Sequence, residues 1–130
     1  MRNVYTIDQY EVLHNQFFFI VKESDEHIQI QPAAQVIADS DNEAFIYIVD
    51  ENGVFSYLRF ARSIWPQLVE VVKSKQDPSL RVGAQQIVLT NFFEELSMLL
   101  FNIEGNSNYG EDFVQAVEQS FAEIFQANEV

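Results

Sequence analysis

Five oxygen-bearing side chains in a row, Asp39-Ser40-Asp41-Asn42-Glu43, could supply metal ligands in this 130-residue chain. Oxygens at alternate positions open an EF-hand calcium loop, because a hard cation takes several oxygen ligands at once. The register then fails. The sixth position is Ala44, where that loop needs glycine, and the apolar run Phe45–Val49 follows directly. Asp39, Asp41 and Glu43 are weak candidates for a divalent cation, and a carboxylate-rich connection between strands fits them better. Other chemistry is thinner still. There is no cysteine, which removes disulfides, thiolate metal sites and thiol nucleophiles. The two histidines, His14 and His27, have no ligand spacing around them, and no serine sits in a GxSxG elbow. The four glycines, Gly53, Gly83, Gly105 and Gly110, make neither GxGxxG nor a P-loop. No catalytic residue and no cofactor is indicated, and the reading leans away from an enzyme.

Residues suited to meeting a partner are easier to name. Aromatic side chains and methionine are enriched at the centres of protein interfaces. Trp65 precedes Pro66 at a helix start, Met98 and Phe101 fall on the polar side of a later helix, and Tyr109 sits in a polar loop. These four are the candidate partner surface. For Trp65, Met98 and Phe101 the competing reading is that another layer of the fold covers them; for Tyr109 it is packing back onto its own helices.

Charge bounds the partner. Twenty acids against seven bases give a formal charge of −13, and residues 82–130 hold eight acids and no base. Nucleic acids and anionic membranes both need clustered cations, so neither is expected. No apolar run approaches the ~18 residues of a membrane span, and no basic-then-apolar signal opens the chain.

The elements that must position these residues are legible in part. Gln16–Lys22 is β-branched and aromatic, and His27–Gln31 alternates; both read as strands, separated by the polar loop Glu23–Glu26. Pro32 interrupts, leaving Ala34–Ala38 a weaker strand. Phe45–Val49 and Val54–Phe60 flank Asn52-Gly53, the composition of a tight hairpin turn. A helix is expected over 64–75, with Pro66 in its first turn, then a strand within 84–90. A second helix over 91–104 has Thr90 or Asn91 as cap and Gly105 as its stop; a third covers 111–126, with Asn108 and Glu111 in capping-box positions. The short loop between these two predicts an antiparallel helical hairpin. The first 14 residues are ambiguous: Val4–Ile7 suggests a strand, and Asp8–His14 reads as a helical turn or more strand. The expectation is one α+β domain over 1–130, β-rich in 1–60, with a mainly antiparallel sheet of five or six strands and three helices.

Two stretches resemble a known family. They are Asp39–Ile48 with Trp65 beyond it, and Asn102-Ile103-Glu104-Gly105-Asn106-Ser107-Asn108-Tyr109-Gly110-Glu111 running into Val114–Phe121. Together they resemble the YjbL-like family of small acidic proteins from Bacillus-type Gram-positive bacteria, over roughly residues 33–125. The resemblance implies a cytosolic bacterial setting and no catalytic residue. The function expected from both lines is a cytoplasmic, non-enzymatic domain that self-associates or binds a basic or apolar protein partner. The alternatives are a carboxylate-based binder of a small molecule or divalent cation and, third, an acidic mimic of nucleic acid.

Overall fold

A computed structural model describes residues 3–21 and 29–127. The first fourteen residues resolve into strands β1 (Val4–Ile7) and β2 (Gln9–Leu13), separated only by Asp8, and each joins a different sheet. His14 and Asn15 both take positive φ, 52° and 65°, and make the two-residue turn into β3 (Gln16–Val21). That is the conformation a twisted two-residue hairpin needs, reached here without glycine. The polar loop Glu23–Glu26, with Lys22, His27 and Ile28, lies outside the described residues. β4 (Ile30–Asp39) runs through Pro32, where a break was expected. Pro32 is tolerated because β4 is an outer strand and its register shifts between Pro32 and Gln35, with Ala34 at φ 59°.

β5 (Ala44–Glu51) and β6 (Val54–Ala61) form the expected hairpin, with Asn52 and Gly53 at φ 54° and 86°. A turn at Arg62–Ile64 leads into α1 (Trp65–Ser74), with Pro66 in its first turn and Lys75 closing it in the left-handed region. The strand expected within 84–90 is the second of two: β7 (Ser79–Val82) and β8 (Gln85–Val88) pair antiparallel. α2 (Phe92–Ile103) follows, then α3 (Glu111–Ser120) and α4 (Ala122–Ala127). The third helix is therefore broken at Phe121, whose backbone (φ −109°, ψ 22°) departs from helical values while its fully buried ring packs on Phe45 and Trp65. α2 and α3 touch, and three helical segments stand where a two-helix hairpin was expected.

The sheet count also changes. Among the described residues, eight strands form two four-stranded sheets, ordered β1-β6-β5-β4 and β2-β3-β7-β8. β1–β6 and β3–β7 are parallel, and the other four pairings are antiparallel. The two sheets meet along their sides, β1 against β3 and β4 against β8. At the second seam the Gln85 side-chain amide imitates a peptide group: its Nε2 donates to the Ile30 carbonyl at 2.7 Å, and its Oε1 accepts from the Ile30 N–H at 3.1 Å.

The core fills the space between the sheets and the helices. Phe19 of β3 meets Phe60 of β6 edge-on at 5.0 Å between ring centres, and Phe92 of α2 packs on Phe60 and stacks on Tyr47. Alternation along β5 puts Phe45, Tyr47 and Val49 on this inner face. Offset and edge-on ring pairs of this kind contribute about 0.5–1.5 kcal/mol each beyond their burial.

Candidate functional site

The carboxylate run forms a single helical turn, Ser40–Asn42, and Glu43 in the left-handed region returns the chain into β5. Two of its three carboxylates already have protein partners. Both Asp39 oxygens accept from the Asn42 amide at 2.9 and 3.1 Å, and Arg59 stands 3.7 Å from one of them. Glu43 pairs with Arg62 at 3.3 Å, while Asp41 points to solvent. Among the described residues, no three His, Asp or Glu side chains converge closely enough to hold a metal ion. The turn does help line an open cleft of about 620 Å³ with Arg62, Tyr109 and the first turn of α3, including Glu111 and Asp112.

The four partner candidates separate. Trp65 is fully buried: its ring packs on Phe45, Phe113 and Phe121, and its indole N–H donates to the Phe60 carbonyl at 3.0 Å. It does not reach the surface, because it lies among the buried residues of α1 with Leu68, Val69 and Val72. Tyr109 is half-buried, packs toward Phe113, and its hydroxyl accepts from the Asn102 amide at 2.7 Å. Its loop is built by Asn106, whose side chain accepts from the Asn108 N–H; Asn108 is not the capping residue, and Gly110 occupies the N-cap of α3 with no side-chain bond.

Met98 and Phe101 do face solvent, with 67% and 39% of their surface exposed. They lie beside a shallow groove that Glu95, Ser97, Leu99 and Asn102 share with Val36 of β4. α2 holds this face outward because Phe92, Leu96, Leu100 and Ile103 fill the opposite stripe with no exposed surface. Its start is fixed from a distance. Asn91 occupies the N-cap at φ 62° with no side-chain bond, and Asp77 supplies the cap instead, accepting from the N–H groups of Asn91 (3.1 Å) and Phe93 (3.0 Å).

The rim of the face is acidic and unneutralised. Glu94 and Glu95 lie in the first turn of α2, and α2 carries no base. Four of the five described cations are held elsewhere, as Arg59–Asp39, Arg62–Glu43, Lys73–Glu123 and Arg81–Glu11. The hydrogen bond and charge of Glu123 raise the Lys73 ammonium above its ordinary value. Residues 1–14, ambiguous as sequence, contribute a second exposed set: Tyr10, Val12 and Leu13 on β2. The only signal for them is the apolar content of Gln9–Leu13, too short to show a period.

Comparison with known proteins places the chain in a family without assigning an activity. The UPF0738 family, described as a family of unknown function, matches residues 5–121. The chain belongs to the UPF0738 family. A UPF0738 protein of Lysinibacillus sphaericus is 47% identical over 124 residues, covering 95% of this chain and 98% of the relative. One from Halalkalibacterium halodurans is 31% identical over 91% of this chain and 97% of its own length. One from Staphylococcus aureus is 37% identical over 71% of this chain and 76% of its own length. These UPF0738 relatives come from the Gram-positive setting that the Gly-Asn-Ser-Asn-Tyr-Gly string suggested, under a different family name from the YjbL-like one. No solved structure matches this UPF0738 chain. No helix among its described residues is long and apolar enough to cross a membrane.

Proposed function

We propose that the chain is a cytoplasmic protein-interaction domain whose α2 face receives a basic, amphipathic segment of another protein. The observation that carries this reading is the exposure of Met98 and Phe101 on a helix whose only charged side chains are acids. Methionine is flexible and polarisable, and adapts to the apolar anchors of different ligands. The charge favours a different partner over a second copy at this face. A symmetric α2–α2 contact would set Glu94 and Glu95 near their own copies with no base to separate them, whereas a lysine-rich segment would neutralise them.

A synthetic helix with leucine on one face and lysine on the other is the direct probe. Wild-type protein should bind it with an affinity that falls as salt rises, and the double variant Met98→Asp, Phe101→Asp should bind at least tenfold more weakly at unchanged melting temperature. Equal binding by wild type and variant would sink the reading. A second reading, a small cationic ligand in the cleft beside α3, rests on Asp41, Glu111 and Asp112 having no cation paired with them among the described residues. Calorimetry with magnesium, calcium or a diamine at millimolar concentration tests it, and flat traces remove it.

A further inference from the structure

Each sheet has two outer strands, and three of these four edges have something beside them. β1 lies against β3, β4 has α2 and β8 along it, and β8 is tied to β4 through Gln85. β2 is the exception: among the described residues, β3 is the one strand paired with it, and its outer side takes no strand partner. A bare edge presents a row of main-chain donors and acceptors that can continue a sheet, and proteins guard such edges with lysine, proline, bulges or inward charges. Gln9-Tyr10-Glu11-Val12-Leu13 has no lysine or proline, and its five partners on β3 run from Gln9↔Ile20 to Leu13↔Gln16 without a bulge. Its short length is its one protection. Tyr10, Val12 and Leu13 are 46%, 48% and 40% exposed. The single charge, Glu11, is held by Arg81, whose guanidinium also lies 4.3 Å from the Phe18 ring centre.

We propose that β2 is a self-association edge, pairing antiparallel with β2 of a second copy about a two-fold axis through Glu11. This register sets Tyr10 opposite Val12 of the second copy, an aromatic–β-branched pair of the kind that stabilises adjacent strands. It sets Gln9 opposite Leu13 of the second copy. Charge admits the second copy here and disfavours it at α2. Two Glu11 carboxylates meet at the axis, but each brings its own Arg81, so the four-charge cluster is neutral. The two sheets of four become one continuous sheet of eight across the axis. Five residues of edge make a small interface, so the dimer is reversible and dissociates on dilution.

Sedimentation velocity over a hundredfold range of concentration, at physiological salt, is the test. Wild type should shift from monomer to dimer as concentration rises. Val12→Lys, a change at an exposed position, should stay monomeric throughout while melting within about two degrees of wild type. Because the chain has no native cysteine, Glu11→Cys can be oxidised cleanly: the two-fold position should crosslink into a dimer at least tenfold faster than Val88→Cys, a control exposed on β8. A wild type that stays monomeric over the whole range overturns the proposal. So does a dimer that survives Val12→Lys, or Glu11→Cys crosslinking no faster than the control. The Met98→Asp, Phe101→Asp double variant should dimerise like wild type, which keeps this surface distinct from the α2 face.

Discussion

Replacing Asp77 by alanine should loosen a helix that begins fifteen residues further along the chain. Asp77 accepts from the Asn91 N–H at 3.1 Å and the Phe93 N–H at 3.0 Å, and no side chain of α2 or its flank takes over that task. Loss of an N-cap acceptor costs about 1 kcal/mol. Removing a negative charge from the positive end of the helix dipole adds about 0.3–1 kcal/mol. Both donors are reachable by water, which offsets part of the loss, so the sum is about 1–2 kcal/mol. For a chain of 130 residues the unfolding entropy is roughly 0.27 kcal/mol per kelvin, and the melting temperature should fall by about 4–7 °C. Trp65 fluorescence is a convenient readout, because the single tryptophan is fully buried and reports loss of the core. Asp77→Asn keeps an acceptor oxygen without the charge and should fall between wild type and Asp77→Ala. Thr90→Ala should cost less than Asp77→Ala, because the Thr90 side chain takes no part in the cap and bonds instead toward the Tyr47 phenol. A Thr90→Ala loss of several degrees, with Asp77→Ala unchanged, would refute the remote cap.

Three other perturbations have defined outcomes. Trp65→Ala removes the ring packed on Phe45, Phe113 and Phe121 and should cost about 3–5 kcal/mol by chemical denaturation followed by circular dichroism; a cost under 1 kcal/mol would contradict its place in the core. Gln85→Ala opens the seam between the sheets, so hydrogen exchange at the Ile30 amide should quicken about tenfold, with a stability loss of roughly 1–2 kcal/mol; unchanged exchange would mean the amide bridge holds nothing. Tyr47→Phe leaves the Thr90 carbonyl without its phenol donor and should cost about 0.5–1.5 kcal/mol at neutral pH. Burial raises the Tyr47 phenol above its ordinary 10.0, so its contribution is complete below pH 10.0 and is lost as pH rises through the folded value. The gap between wild type and Tyr47→Phe should narrow from pH 8 to pH 11, and a constant gap would count against that linkage.

What could be read from the sequence follows the range of the interactions. The β5–β6 hairpin, α1 and α2 were legible because Asn52-Gly53 and the apolar spacing that includes Leu68, Leu96 and Leu100 act locally, whereas the break at Phe121 was not. β1 was suggested by Val4–Ile7, but β2 and β7 were not legible, because strands of four or five residues have no period to detect and β7 pairs with a distant segment. Pro32 misled because a proline's effect depends on whether its strand is an edge, which is a property of the whole sheet. Asp77 was invisible as a cap for the same reason: the rule looks at neighbours, and the cap came from another turn. On the site, the outward placement of Met98 and Phe101 could be read because the helical wheel sets them with Glu94 and Asn102. Trp65 could not be told from a surface aromatic, since the neighbouring proline is equally at home at either kind of helix start. The bare edge of β2 needed strand order, which no local pattern carries.

The parallel pairing of β3 with β7 bears on how the chain is made. β3 is Gln16-Phe17-Phe18-Phe19-Ile20-Val21, six residues with no charge, proline or glycine, the composition of segments that stack into fibrils when left uncovered. Its parallel partner ends at Val82, sixty-one residues after Val21. At the usual 5–20 residues per second of synthesis, roughly 3–12 s pass before that partner exists. During that interval the β3 edge that β7 will take is open to neighbouring nascent chains. Stalled or prematurely terminated products of this gene are therefore expected in the insoluble fraction, and a holdase that recognises aromatic strands would first meet the chain at β3.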